Sequence, residues 1–311
     1  MHTNDPIQAL ENVNKDYLNV LYSKEYRMGK RVYKLKNALK HFNIKALIEF
    51  WKSMRIQKKV SKMSYTVSSN DTVYANDIES CIDAGEGVVY TCVTGGYDNP
   101  GDPIFVNTDF VFFTDKVDEN NNNSAWIKRQ VNQEGLKGNQ INRYYKMHPW
   151  KVLENYRFSV YIDGNVQVVS DIRPLYKVAM DSKCGIAMHT HPGRHCAYVE
   201  ARACILSKRG NPELIEKQMS RYREEGFPED FGFCEATIIV VDNNNPVSKL
   251  IMENWWQEFL ASGSGRDQIA FPYVVWKCGY KMDDIGVLGN NLLFNPKFRI
   301  INLGDHKFKK G

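Results

Sequence analysis

The sequence predicts an α/β protein on a mostly parallel, doubly wound sheet, preceded by a basic helical extension. Three observations carry this. From residue 86 onward, short apolar runs alternate with longer segments of helical periodicity. Three of those runs end alike, on GGYD, FTD and IDGN, which gathers polar groups where a parallel sheet presents its carboxyl ends. Residues 24–62 carry 13 Lys/Arg against two Glu, a local charge of +11. The whole chain stands at only +5, so the remainder is at −6 and the basic character belongs to one segment.

Residues 7–60 read as helix. In KRVYKLKNALKHFNIKALIEFWKSMRIQKK the apolar positions Val32, Leu35, Leu39, Phe42, Leu47, Phe50, Trp51 and Met54 recur at three- and four-residue steps, with lysines between them and a break at Asn43. The expected organisation is a basic amphipathic helical extension over 1–62, a polar linker over 63–85 and an α/β domain over 86–311. GVVYTCVTGGYD is a buried strand entering a glycine turn, DFVFFTD a second strand, and DENNNNSAW a loop by composition. Residues 141–154 are helical, with Pro149 beginning or breaking a turn. FSVYIDG, VQVVS, GIAMHTHP and FCEATIIVVD supply the third to sixth strands. CAYVEARACILSKRG is a helix stopped by Gly210. NPELIEKQMSRYREEG is a helix capped by Asn211, with Pro212 at its first position and Gly226 at its end. PVSKLIMENWWQEFLASG and DQIAFPYVVWKCG are the last helices, and no internal repeat is present.

Composition excludes several classes. With 311 residues, 43% hydrophobic and 12% aromatic, the chain can bury a large core. Its seven cysteines are scattered without a CxxC pair, which argues against a disulfide framework or zinc ribbon and for a reducing compartment. The polar N-terminus and the lack of a long apolar run give a cytoplasmic expectation. Nucleic acid is not an expected partner, because no binding module is recognisable and the rest of the chain is acidic. The basic segment has two readings: the solvated face of a packed hairpin, or a surface that meets an anionic membrane (then peripheral at the inner face of the plasma membrane) or another subunit.

The motifs that carry chemistry begin with YIDGN. Asp163 and Asn165 sit one residue apart after an apolar strand, so both side chains can face one divalent cation that neutralises a diphosphate. An Asp-Gly-Asn hairpin turn explains the same letters. In MHTHPGRHC, His189, His191, His195 and Cys196 match no structural zinc spacing, and sugar recognition or packing are the alternatives. In SGSGRDQIAF the glycines lead into a helix whose first turn carries Arg266, Asp267 and Gln268, either as a cap or facing a site.

The set YTCVTGGYD, FFTD, YYKMHPW, YIDGN, HTHPGRHCAYVEA, Gln218…Tyr222…Gly226, GFCEATIIV and SGRDQIAFPYVVWK occurs in one order over about residues 87 to 280. In this it resembles a glycosyltransferase-like family of plant mucilage- and cell-wall-related proteins and of bacterial capsule and lipopolysaccharide loci. The resemblance implies a GT-A-like, Rossmann-type mixed sheet flanked by helices. It also implies a nucleotide-sugar donor, a UDP-sugar, with Mn²⁺ or Mg²⁺, and a surface-glycan acceptor, free or lipid-linked. Carried over by residue, Thr94, Gly95, Gly96, Tyr97 and Asp98 line the nucleotide pocket and Asp115 accepts hydrogen bonds from ribose or uracil. Arg143 and Lys146 pair with phosphate, and His148 faces the same cleft. Asp163 and Asn165 become the metal–diphosphate pair, joined by His306 and the basic tail of Lys307, Lys309 and Lys310. His189, His191, Arg194, His195, Glu200, Arg266 and Gln268 recognise donor sugar or acceptor, while Asp267 and Glu235 are the candidate catalytic carboxylates. Asn165 departs from a full D-x-D, which puts metal dependence in doubt and admits a second reading: a catalytically degenerate fold that binds glycans or a partner. A hydrolase holding a metal at the His/Cys cluster is a third class. Inversion or retention is not decided by these residues.

Overall fold

The computed structural model describes residues 5–41, 43–62, 83–117, 124–132 and 134–301. His306, the basic tail and all but the last three residues of the expected linker lie outside them.

The basic extension is three helices: α1 (Pro6–Tyr22), α2 (Lys24–Lys40) and α3 (Ile44–Ser61). Each begins on a short polar cap. Asp5 accepts from the N–H of Ile7 at 3.0 Å, Ser23 Oγ from Tyr26 at 3.1 Å, and Asn43 Oδ1 from Ala46 at 2.9 Å. The break at Asn43 is where the periodicity placed it. The one at Ser23 rests on a single hydroxyl that no change in hydrophobic period announces. The three helices also differ in what they bury. α1 docks Glu11, Asn14 and Leu18 onto the C-terminal segment. Glu11 takes Lys297 Nζ at 2.5 Å and Ser170 Oγ at 2.6 Å, and Asn14 Nδ2 donates to the carbonyls of Pro296 and Phe298. So α1 belongs to the main body, and only α2 and α3 form a lightly packed hairpin. This redraws the extension expected as one unit.

The body follows as β1 (Gly87–Val93), β2 (Asp109–Thr114), β3 (Trp126–Gln130), α4 (Asn139–Met147), α5 (Pro149–Val152), β4 (Phe158–Ile162), β5 (Val166–Val168) and α6 (Arg173–Asp181). Then come β6 (Ile186–Thr190), α7 (Ala197–Leu206), α8 (Pro212–Glu224), β7 (Cys234–Asp242), α9 (Pro246–Ser262), α10 (Asp267–Lys277), β8 (Gly286–Gly289) and β9 (Phe298–Ile300). Seven strands form one sheet in the order β3-β2-β1-β4-β7-β6-β8. β7 runs antiparallel to both its neighbours and the other strands run parallel. This is the mixed sheet flanked by helices that the sequence predicts. Every residue of β1 and β4 is buried, as continuous apolar runs in a sheet covered on both faces must be. One face packs Tyr90, Phe113, Tyr161 and Ile239 against α9 and α10 through Trp255 and Phe271. The other packs Val89, Phe110, Val160 and Ile238 against Tyr176 of α6 and Phe298 of β9.

Four departures from the sequence reading have clear causes. The SAW end of the expected loop enters β3, an edge strand whose residues beyond Trp126 are all at least partly exposed, so no apolar alternation marks it. β8 and β9 are four and three residues long, below what a pattern can signal. α6 was not read from RPLYKVAMD, where a proline follows the first helical residue. VQVVS is a strand, but β5 pairs with β9 in a separate two-stranded sheet. The N–H of Val166 donates to the carbonyl of Asp163 at 2.9 Å, closing a β-turn over Asp163–Val166. YIDGN is therefore a turn without being a hairpin: β4 pairs with β1 and β7, and the turn carries the chain out of the main sheet.

Candidate active site at the β1–β4 crevice

From β1 the chain builds β2 and β3 outward on one side, then returns to lay β4 on the other. The strand order reverses between β1 and β4, and in open α/β sheets a crevice opens beyond the carboxyl ends at such a point. Thr94–Asp98 leave β1 there and Asp163–Asn165 leave β4 beside them. Gly95 and Gly96 hold φ of +69° and +65°, left-handed conformations open to glycine at little cost. Gly95 N–H donates to Asp115 Oδ2 at 2.9 Å, so the acid ending β2 braces this turn. Tyr97 stands exposed at the rim. Gly164 is required by space instead: a Cβ there would lie 2.5 Å from Val93 Cγ2 and 3.2 Å from Asp98 Cβ. Gly164→Ala is expected to lower stability by about 1–3 kcal/mol as the two strand ends part. Chemical denaturation checks this, and an unchanged midpoint would mean the crevice yields without cost.

Beneath the crevice lies a charged and aromatic layer. Tyr161 OH donates to Asp163 Oδ1 at 3.0 Å. Burial first and the Asp163 charge second push this phenol well above its ordinary range, so it remains a donor. Asn142 Nδ2 donates to Tyr161 OH at 3.1 Å and to the Cys92 carbonyl, linking α4 to both central strands. Arg143 Nε meets Asp267 Oδ1 at 3.0 Å and Lys146 Nζ meets Asp267 Oδ2 at 2.8 Å. Lys146 is itself buried, with its Nζ 5.1 Å from the Tyr161 ring centroid and 5.6 Å from that of Trp255. Burial alone would raise the Asp267 carboxyl, but Arg143 and Lys146 hold it well below its ordinary 3.8. Trp255 Nε1 donates to the Asp267 carbonyl at 2.8 Å.

The antiparallel β7 brings Glu235 to the same end. Asp163 N–H donates to the Thr237 carbonyl at 3.0 Å, two residues along the strand. The Glu235 side chain is 21% exposed, and its carboxyl is pushed up to about 7, first by burial, then by the charges of Glu200 and Asp163 against the opposing Arg194. His191 Nδ1 accepts the backbone N–H groups of Gly193 and Arg194, both at 3.0 Å, and its Nε2 lies 2.8 Å from Arg194 Nη2 and 3.3 Å from Glu235 Oε1. Burial and then Arg194 lower the His191 pKa to about 3, so the ring is neutral near pH 7. Arg194 Nε pairs with the buried Glu200, whose other oxygen lies 4.0 Å from Arg266 Nη2. Gln268 Nε2 donates to the Cys234 carbonyl at 2.9 Å, at the start of β7.

Contacts thus link Gly95 to Asp115, Gly164 to the Val93–Asp98 turn, Tyr161 to Asp163, His191 to Glu235 and Arg194, and Arg194 and Arg266 to Glu200. Other expected residues go elsewhere. His148 was expected to face the cleft; it stacks on Tyr144 at 4.4 Å, lies against Trp150 and Trp256, and reaches Glu253 at 3.3 Å, in the helical layer. His189 is fully buried on the opposite side of the sheet, bonded through Nε2 to Asn295 and edge-on to Phe298. His191 lies past the end of β6 at Thr190, packed against Phe233, so H-x-H does not act as a pair. His195 is exposed and meets Asp230 at 3.0 Å. Lys146 and Asp267 neutralise each other below the crevice, so Lys146 is not presented to a phosphate and Asp267 is not presented as a base. Tyr161 and Asn142 were not singled out in the sequence. For Tyr161 the signal was present, since a residue two before Asp163 on a strand shares its face. For Asn142 there was none.

Among the described residues no group of three or more His, Cys, Asp or Glu forms a metal cluster, which removes the His/Cys zinc reading there. Asp163 and Asn165 suit a different arrangement. A hydrated divalent ion that takes its remaining oxygens from diphosphate and water needs only one or two side-chain ligands.

Similar α/β structures have been solved for glycosyltransferases. The bifunctional glycosyltransferase WbbM in its apo form matches at a TM-score of 0.40 and 14% identity, over 70% of this chain and 40% of its own, so this chain spans less than half of WbbM. Mouse xyloside xylosyltransferase 1 matches at 0.41 and 10%, over 66% of this chain and 84% of its own. Galactosyltransferase LgtC, solved with donor and acceptor sugar analogues, matches at 0.35 and 12%, over 60% and 70%. No curated protein sequence matches the chain. The TOD1/MUCI70 glycosyltransferase-like domain model matches residues 34–288, from within α2 to the end of β8 and some fifty residues ahead of the first quoted motif, and the chain belongs to that family.

Proposed function

We propose that this chain transfers a sugar from a nucleotide-sugar donor, a UDP-sugar, to a hydroxyl of a surface-glycan acceptor of the capsule or lipopolysaccharide type, with Mn²⁺ or Mg²⁺. The observation that carries the reading is the convergence at the β1–β4 switch point of a left-handed glycine pair, Gly95–Gly96, with Asp163 and with Glu235, whose carboxyl pKa burial raises. The exposed backbone of Gly95 and Gly96 lets the nucleotide approach closely, and the Tyr97 ring suits stacking on a base. Asp163 and Asn165 would hold the cation, which when bound neutralises charge on the departing diphosphate. Tyr161 orients Asp163 from below. Arg143, fixed by Asp267, adds a positive charge that is not lost to rotation. In the transfer, the bond from the acceptor oxygen to the anomeric carbon forms as the bond to the diphosphate breaks. Glu235 is the side chain suited to the hydroxyl proton, because its pKa lies near the working pH. Arg194, Glu200 and Arg266 are placed to recognise sugar hydroxyls or an acidic group. The cytoplasm is the setting that the scattered cysteines, all free among the described residues, suit.

A thermal-shift screen of UDP-, GDP-, CMP- and dTDP-sugars, with and without Mn²⁺, tests the reading on the wild type and Asp163→Ala. A donor at one hundred times its dissociation constant should add about 2.7 kcal/mol. A metal-dependent shift with one nucleotide class, lost in the variant, is the expected result. No shift with any donor would favour the second reading, a degenerate fold that binds glycans or a partner, for which Asn165 in place of an acid is the supporting observation.

A further inference from the structure

The α2–α3 hairpin leaves apolar side chains in the open that a packed helical pair would cover. α2 buries only Ala38, and no residue of α3 is buried. On α3, Ile44, Ile48 and Trp51 fall at i, i+4 and i+7 on one stripe and are 70%, 49% and 60% exposed. Leu47, Phe50 and Met54 are the half-buried side of the same helix. Arg55, Lys59 and Lys62 continue the exposed stripe toward its C-terminal end, and Lys45 and Lys52 flank it. On α2, Met28, Val32, Tyr33 and Lys36 line an open groove of about 650 Å³.

We infer that this hairpin is a docking surface for an anionic lipid bilayer, lying in the interfacial plane with Ile44, Ile48 and Trp51 turned toward the acyl boundary. Charge complementarity selects the occupant. A segment at +11 is drawn to acidic headgroups, whereas a second copy of the same hairpin would set +11 against +11. The exposed aliphatic stripe separates lipid from nucleic acid, because phosphate contacts use the lysines alone and leave Ile44, Ile48 and Val32 in water. Trp51 and Tyr33 have the amphipathic rings that favour a membrane–water interface. Among the described residues no helix is long and apolar enough to cross a membrane, so the arrangement is one of lying on the surface. The hairpin is also tied to the crevice: α3 packs against α7, the helix that carries Glu200. The inference stands whether or not the transfer reaction does.

Flotation of the full chain with phosphatidylcholine vesicles, with and without phosphatidylglycerol, tests it. Binding is expected only to the acidic vesicles and should weaken with salt. Lys52→Glu/Arg55→Glu/Lys59→Glu should reduce it by about a hundredfold, since each basic residue at such a surface contributes roughly fivefold. Ile48→Ser/Trp51→Ser should also weaken it, while leaving the salt dependence in place. Thermal melting of both variants should match the wild type, because all five side chains are exposed. Failure of the wild type to float with acidic vesicles, or equal flotation with neutral ones, overturns the inference. So does tight binding to duplex DNA in place of vesicles that Ile48→Ser/Trp51→Ser leaves unchanged. A concentration-dependent dimer abolished by Trp51→Ser would assign the face to a second copy instead.

Discussion

Asp267→Ala should destabilise the folded protein by about 3–5 kcal/mol, because it strands two cations that share one carboxylate below the crevice. Lys146 is buried between the Tyr161 and Trp255 rings, so water cannot replace the lost partner. The effect should appear as a lower denaturant midpoint at an unchanged slope. Lys146→Met in the same chain should restore part of the loss by removing one stranded charge. The pH dependence carries a sign. The folded-state carboxyl lies below its ordinary 3.8, so its stabilisation is in place above that value and is lost as the pH falls below it. The gap between wild type and variant should thus be full at pH 7 and shrink below about pH 4. A variant as stable as the wild type at pH 7 would show that Asp267 is not the clasp described here.

Glu235→Gln should lower the turnover number by about 10²–10⁴, the range for removing a general base or acid. It should also abolish a limb in the pH–rate profile near pH 7, where the carboxyl titrates. Stability should move the opposite way. The folded protein keeps this proton between about 4.5 and 7 while the unfolded chain gives it up, so wild-type stability declines as the pH rises through that window. The amide cannot ionise, and the variant should be at least as stable as the wild type at pH 8. A variant that loses turnover through unfolding would contradict this. A variant that keeps both turnover and the limb would move the proton to another group.

Most of the architecture was legible because it depends on local signals. GVVYTCV, FSVYI and EATIIVVD are continuous apolar runs with few other places to go than a covered sheet. Asn211–Pro212 and Gly226 bound α8 as capping chemistry requires, with Asn211 Oδ1 accepting from Glu213 and Leu214. The crevice was legible in outline for a similar reason: strand ends that finish in GGYD, FTD and IDGN meet once the strands run parallel.

What the sequence by itself determined was five of the seven strands of the main sheet, β1, β2, β4, β6 and β7, the separately charged hairpin and the polar strand ends. What only the tertiary structure decided was who faces whom. Asp267 and Lys146 are 121 positions apart, and each looked like a site residue; together they are a clasp. His189 and His191 are one residue apart and lie in different environments: His189 sits within β6 bonded to Asn295, and His191 lies past the strand's end beside Arg194 and Glu235. Glu11 and Lys297 stand at opposite ends of the chain and meet at 2.5 Å, so a helix that read as part of a detached extension belongs to the body. Periodicity and capping act over a few residues and can be read along the chain. Ion pairing and burial act through space, and their partners are fixed only when the sheet order brings distant segments together.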